Sequence, residues 1–179
     1  MTRSRRMAAI AAAPILALGI ATAAHAENVR IDLESYQEVP AISTPGTGQF
    51  SAEISDTSIT YELSYSGLQG AVTQVHIHFG QLSVNGGITA FLCSNLGNGP
   101  VGTQACPAAP ATITGTIEAD DIGGGGAAQG IAANEFAEVV AAIRAKAAYV
   151  NVHTDLFPSG EIRGQLPKNP GALGDSDEN

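Results

Sequence analysis

The stretch Val75-His76-Ile77-His78-Phe79 decides how this chain is read, and Tyr149-Val150-Asn151-Val152-His153-Thr154 is its counterpart further along. In both, apolar residues alternate with polar ones. Successive side chains of a strand point to opposite faces, so Val75, Ile77 and Phe79 mark one face, and His76 and His78 the other. Val150 and Val152 likewise leave His153 on the face away from the core. If the two strands are neighbours, three imidazoles converge on one outer surface of a β-protein. That donor set suits a copper or zinc ion.

The same period of two recurs along the chain. Val29, Ile31 and Leu33 alternate with charged residues, as do Phe50, Ala52 and Ile54 with polar ones. Asp56-Thr57 makes a tight connection into Ile59, Tyr61, Leu63 and Tyr65, which predicts a hairpin. The histidine strand is expected at 72–79, turning at Asn85-Gly86-Gly87 into 88–92. Further strands are expected at 112–118, 147–154 and 160–166. Gly123–Gly126 reads as a flexible linker. One helix interrupts the pattern, with Asn134 as N-cap and Glu135 and Glu138 in its first turn. Phe136, Val139, Val140 and Ile143 form its apolar stripe, and Arg144 and Lys146 lie near its end. The expectation is an all-β fold, a Greek-key β-sandwich or barrel with one short covering helix.

The N-terminus reads as an export signal: Arg3, Arg5 and Arg6, an alanine-rich apolar run, then Ala24-His25-Ala26 as a cleavage site. Ser4-Arg5-Arg6 leaves both general secretory and twin-arginine export open. Cleavage after Ala26 removes 26 of the 179 residues, His25 among them, and leaves 153 with the three other histidines. That length suits one domain at 27–167, with a disordered acidic tail at 168–179. Five Lys and Arg then face 17 Asp and Glu, a formal charge of −12. Such a balance argues against nucleic acid or an anionic membrane as partner and favours cations. No later stretch is apolar enough to insert in a bilayer. The expected location is exported, periplasmic or secreted, where Cys93 and Cys106 read as one disulfide. Closing that loop is worth about 3 kcal/mol in the chain-entropy model. The competing reading gives one of their thiolates to a metal.

Several motifs together resemble a known family. Tyr36-Gln37-Glu38-Val39-Pro40 with Ser43-Thr44-Pro45 resembles the opening of the CHRD domain, named for chordin and common in exported bacterial proteins. Val75-His76-Ile77-His78 is similar to its central A-H-I-H motif. Tyr149–Thr154 followed by Pro158-Ser159-Gly160-Glu161-Ile162-Arg163-Gly164-Gln165-Leu166 resembles its closing motif. The resemblance spans about 29–167. It implies a barrel of the immunoglobulin-like kind found in copper/zinc superoxide dismutases. In those enzymes an H-x-H pair and a later histidine bind copper, which the likeness would carry to His76, His78 and His153. A catalytic arginine near their C-terminus would fall on Arg163. No histidine here matches the bridging ligand or the zinc loop, so their binuclear site is not expected.

Three functions follow as alternatives. The first is a non-enzymatic binding module with a three-histidine copper site, zinc being the second choice of metal. The second is a mononuclear copper enzyme with dismutase-like chemistry. The third is a structural, protein-binding module in which the histidines only hydrogen-bond. Glu161 and Arg163 are expected to face outward with His153 and to form an ion pair that orients an imidazole, Asn151 and Tyr149 being weaker candidates for that role. Gln37, Glu38 and Pro40 are expected to fix an edge strand. No serine stands in a G-x-S-x-G setting, so hydrolase chemistry finds no support.

Overall fold

The computed structural model describes residues 26–167. The expected export signal and the expected acidic tail lie outside the described residues. Eight strands carry the fold: β1 (Glu27–Glu34), β2 (Thr47–Ile54), β3 (Ile59–Ser66), β4 (Val72–Phe79), β5 (Gly87–Ser94), β6 (Ala111–Ile117), β7 (Ala148–Thr154) and β8 (Ile162–Gln165). One helix, α1 (Phe136–Arg144), precedes β7. Every strand pair is antiparallel. The order is β5-β4-β7-β8-β1-β2-β3-β6, curled into a nearly closed barrel. Because β3 lies beside β6 rather than β4, the chain crosses the barrel end in the Greek-key manner expected from a run of short strands with turn signals between them.

The apolar member of each alternating pair turns inward. Val29, Leu33, Phe50, Ile54, Ile59, Leu63, Val75, Ile77, Val150, Val152 and Ile162 meet in one continuous core. The β2–β3 hairpin turns where Asp56-Thr57 predicts, held by Ser55, whose Oγ accepts from the Thr57 and Ser58 amides at 3.2 and 2.9 Å. The helix starts one residue later than its expected cap. Asn134 adopts φ 67°, Glu135 takes the N-cap position, and the Glu135 carboxylate accepts from Ala132 N at 2.7 Å. Its stripe of Phe136, Val139, Val140 and Ile143 is buried as the spacing predicts.

The seam of the barrel lies between β5 and β6. Cys93 and Cys106 are bonded, S–S 2.03 Å, and the tied loop folds back over this gap. From it Gln104 Nε2 donates to Leu92 O on β5 and to Thr114 O on β6, at 3.1 and 3.0 Å. Tyr61 OH donates to the same Leu92 carbonyl from inside, at 3.0 Å.

The glycine run departs from the sequence reading. Gly124–Gln129 is a 3-10 helix rather than a linker. It lies flat on β5, and Gln129 accepts from Gly87 N and donates to Phe79 O, at 2.6 and 3.0 Å. A Cβ on Gly125 would stand 2.4 Å from Ile88 O. Gly125 is there because the two backbones touch.

Candidate metal centre

β4 lies between β5 and β7, and its register with β7 sets His76 opposite Asn151, His78 opposite Tyr149, and Gln74 opposite His153. Two register shifts in the β4–β5 pairing fall just before His76 and just before His78. Such bulges re-aim the side chains beside them. Val75 and Ile77 point into the core at 0% exposure. The histidines therefore occupy the outer face of the barrel, as the alternation implies.

That face is not a solvent surface, however. His76, His78 and His153 are 0, 7 and 6% exposed. Loops on three sides account for the difference. Gly86 of the β4–β5 loop accepts from His78 Nδ1 at 3.0 Å. Pro158 of the β7–β8 loop accepts from His153 Nδ1 at 3.0 Å. The segment after β1 closes the third side, where Glu38 accepts from Asn151 Nδ2 at 2.8 Å and Val39 O accepts from Asn85 Nδ2 at 2.9 Å. Phe91 of β5 packs edge-to-face on His76, ring centres 4.4 Å apart.

One nitrogen from each histidine lies within 4.8 Å of the others. The two carbonyls hold the proton of His78 and of His153 on Nδ1, so each presents a bare lone pair on Nε2. His153 Nε2 faces His76 Nδ1 at 3.2 Å. Two lone pairs at that distance repel unless a proton or a cation lies between them. His78 Nε2 and His76 Nε2 are sealed from solvent without a hydrogen-bond partner. Burial lowers the His76 pKa to about 2, with the charges of His153 and His78 adding to it. Burial likewise lowers His78 to about 4, against the Gly86 hydrogen bond, and lowers His153 against the Pro158 hydrogen bond. The imidazoles are neutral at ordinary pH, the form that binds metals. Three buried, neutral imidazoles, two of them with an orphaned Nε2 and the third paired only with a neighbouring imidazole, fit a bound metal ion.

The surrounding residues have separate tasks. Tyr149 stacks on His78, ring centres 4.7 Å apart and planes 4° from parallel. Arg163 lies over the other part of this stack, its guanidinium carbon 3.4 Å from the Tyr149 ring centre. Arg163 is 1% exposed and donates to Val84 O at 3.0 Å, Asn85 Oδ1 at 3.2 Å and Gln81 O at 3.3 Å. It thereby holds the loop whose Gly86 carbonyl fixes His78. Glu161 is fully buried and makes no ion pair with Arg163. Its carboxylate accepts from Gln69 N at 2.6 Å, Gly70 N at 3.2 Å and Thr154 Oγ1 at 2.9 Å. Glu161 precedes β8, and Gly160 at φ 129° turns the backbone just before it, so alternation with Ile162 does not govern where it points.

The sequence places Glu38 at an edge strand, yet it packs in this region, accepting from Asn151 Nδ2. Its pKa is raised to about 7 by burial, against the Asn151 hydrogen bond and the Arg163 charge. A Cβ on Gly160 would meet Asn151 and Glu38 at 2.5 to 2.6 Å, which leaves no room for a side chain over that pair. Cys93 and Cys106, joined to each other at the seam, supply no thiolate to the histidines.

The family model for the CHRD domain matches residues 29–166. Neither the curated proteins nor the solved structures compared with this chain yield a match. The match covers most of the sequence and takes in both histidine strands and the closing motif, and on it the chain belongs to the CHRD domain family.

Proposed function

We propose that this chain is an exported, non-enzymatic binding module whose His76, His78 and His153 hold a copper ion. The observation that carries the proposal is the convergence of three buried imidazole nitrogens within 4.8 Å, two of them with tautomers set by carbonyls. Copper stands ahead of zinc because imidazole suits both of its oxidation states, whereas zinc in proteins is almost always four-coordinate and only three imidazoles meet here. The disulfide suits an oxidising compartment. Arg163 and Asn151 act through their neighbours: Arg163 steadies the 81–86 loop and the Tyr149–His78 stack, and Asn151 ties Glu38 to β7.

A bound copper ion would bring a one-electron couple, which keeps a dismutase-like enzyme as the competing reading. Against it, Arg163 is 1% exposed and committed to loop carbonyls, so it is not free to guide an anion to the metal. Metal analysis of the exported protein tests the proposal. The parent should retain one copper per chain, and the His76→Ala/His78→Ala variant none. Equal, substoichiometric copper in both would leave the structural, metal-free module in its place. A superoxide-consumption assay on the loaded parent then separates binding from catalysis.

A further inference from the structure

Resting on that metal reading, we propose that the three-histidine group is a closed, three-coordinate site that selects Cu(I) over Cu(II) and Zn(II). The donor set is the first reason. It holds imidazoles alone, without a carboxylate or thiolate among the described residues. Neutral ligands leave the whole charge of the ion on the complex, and the cost of burying charge grows with its square.

The environment offers little to offset a second charge. Arg163 is a buried cation on the far side of the Tyr149 ring that stacks on His78. Among the described residues it has no carboxylate at ion-pair distance. Glu161, beside Thr154, balances it formally, but its oxygens are turned to Gln69, Gly70 and Thr154. Glu38 turns both carboxylate oxygens to Asn151 Nδ2. No carboxylate among the described residues is therefore turned toward the imidazoles to offset a second charge.

Coordination number is the second reason. Zinc is almost always four-coordinate in proteins, and Cu(II) prefers a tetragonal arrangement of nitrogen and oxygen. Here Phe91 closes the His76 side and Tyr149 covers the His78 face. The Nε2 atoms of His76 and His78 have no contact with solvent, so bulk water does not reach this side of the group. A three-nitrogen, singly charged ion is what such an enclosure accommodates.

The test is competition on chelator-stripped protein. Cu(I) is offered without oxygen as its bathocuproine disulfonate complex, and Zn(II) and Cu(II) are offered from nitrilotriacetate buffers. The expected result is one-to-one transfer of Cu(I), with a Kd at least about tenfold below that of either dication. X-ray absorption on the Cu(I)-loaded parent, which needs no variant to fold, should find three nitrogen neighbours and no oxygen. Tighter binding of Zn(II) or Cu(II), or an oxygen neighbour on Cu(I), overturns the selectivity and leaves the metal site standing. Binding of none of the three ions overturns both.

Discussion

Replacing Glu161 by Gln changes almost no volume and isolates the task of its carboxylate. The side chain is fully buried, and it accepts three hydrogen bonds, from the Gln69 and Gly70 amides and the Thr154 hydroxyl. The two backbone donors sit at the entrance to β4, and the hydroxyl is on the residue after His153. Glutamine keeps one acceptor oxygen and puts an NH₂ where the second one stood. If its oxygen serves Gln69, the amine faces Gly70 N–H, and only the Thr154 hydroxyl can rotate to accept from it. One amide is then orphaned, at about 1–3 kcal/mol, and a remaining charge-assisted bond becomes a neutral one. The Glu161→Gln loss should be about 2–4 kcal/mol, and Glu161→Ala, which orphans all three donors, should lose about 3–9 kcal/mol. Against a usual total of about 5–15 kcal/mol, the alanine variant stands near the edge of folding. Urea denaturation of stripped protein measures both. Copper affinity of the glutamine variant should stay within about tenfold of the parent, because Glu161 touches no imidazole. A glutamine variant as stable as the parent would refute the accounting of these bonds.

The pH dependence of the stripped domain follows from groups of opposite sign. His76, His78 and His153 have pKa values lowered by burial, so the unfolded chain takes up their protons first. Their contribution is full above about 6.5 and is lost as pH falls, at about 1.4 kcal/mol per pH unit for each group. Glu38, raised to about 7, acts oppositely: the folded chain binds its proton first, and stability falls as pH rises from 4.5 through 7. Near pH 5.5 it cancels one imidazole, so stability should drop on acidification by at least about 1.4 kcal/mol per unit. Glu38→Gln should steepen that drop, and a flat urea midpoint between pH 7 and pH 5 would contradict the assignment. Gly125→Ala forces a methyl group against Ile88 O and should cost about 1–3 kcal/mol by thermal unfolding. An unchanged Tm would mean that the 3-10 helix is not pressed on β5.

Much of the fold is legible in the period-two pattern. β4 falls on 72–79 as expected, and Val75 and Ile77 fill the core while His76 and His78 take the other face. Alternation tells which face a side chain takes, but not what later covers that face. The loops that bury the histidines act through the carbonyls of Gly86 and Pro158, and backbone atoms leave no trace in residue identity. The expected Glu161–Arg163 pair misses for a related reason. The two are two apart in sequence, but only Arg163 is within the strand, and it turns to the 81–86 loop while Glu161 turns to Gln69, Gly70 and Thr154. Glu38 shows what could have been noticed. An acid in a tight run with Val39 and Pro40 signals a fixed backbone, and a fixed backbone can carry a side chain inward. The glycine run misled because closeness of backbones and freedom of backbones call for the same residue.

The seam between β5 and β6 has a bearing on the company this protein keeps with its own copies. Two sheet margins with open amides and carbonyls are templates for strand addition from another molecule. Here the loop tied by Cys93 and Cys106 spends those groups internally, Gln104 taking the Leu92 and Thr114 carbonyls and Ser94 N donating to Gln104 O at 2.9 Å. The disulfide thus serves as a guard on both margins at once. A chain in which Cys93 and Cys106 stay reduced would hold both sheet margins less securely, which opens them to strand addition from a second copy.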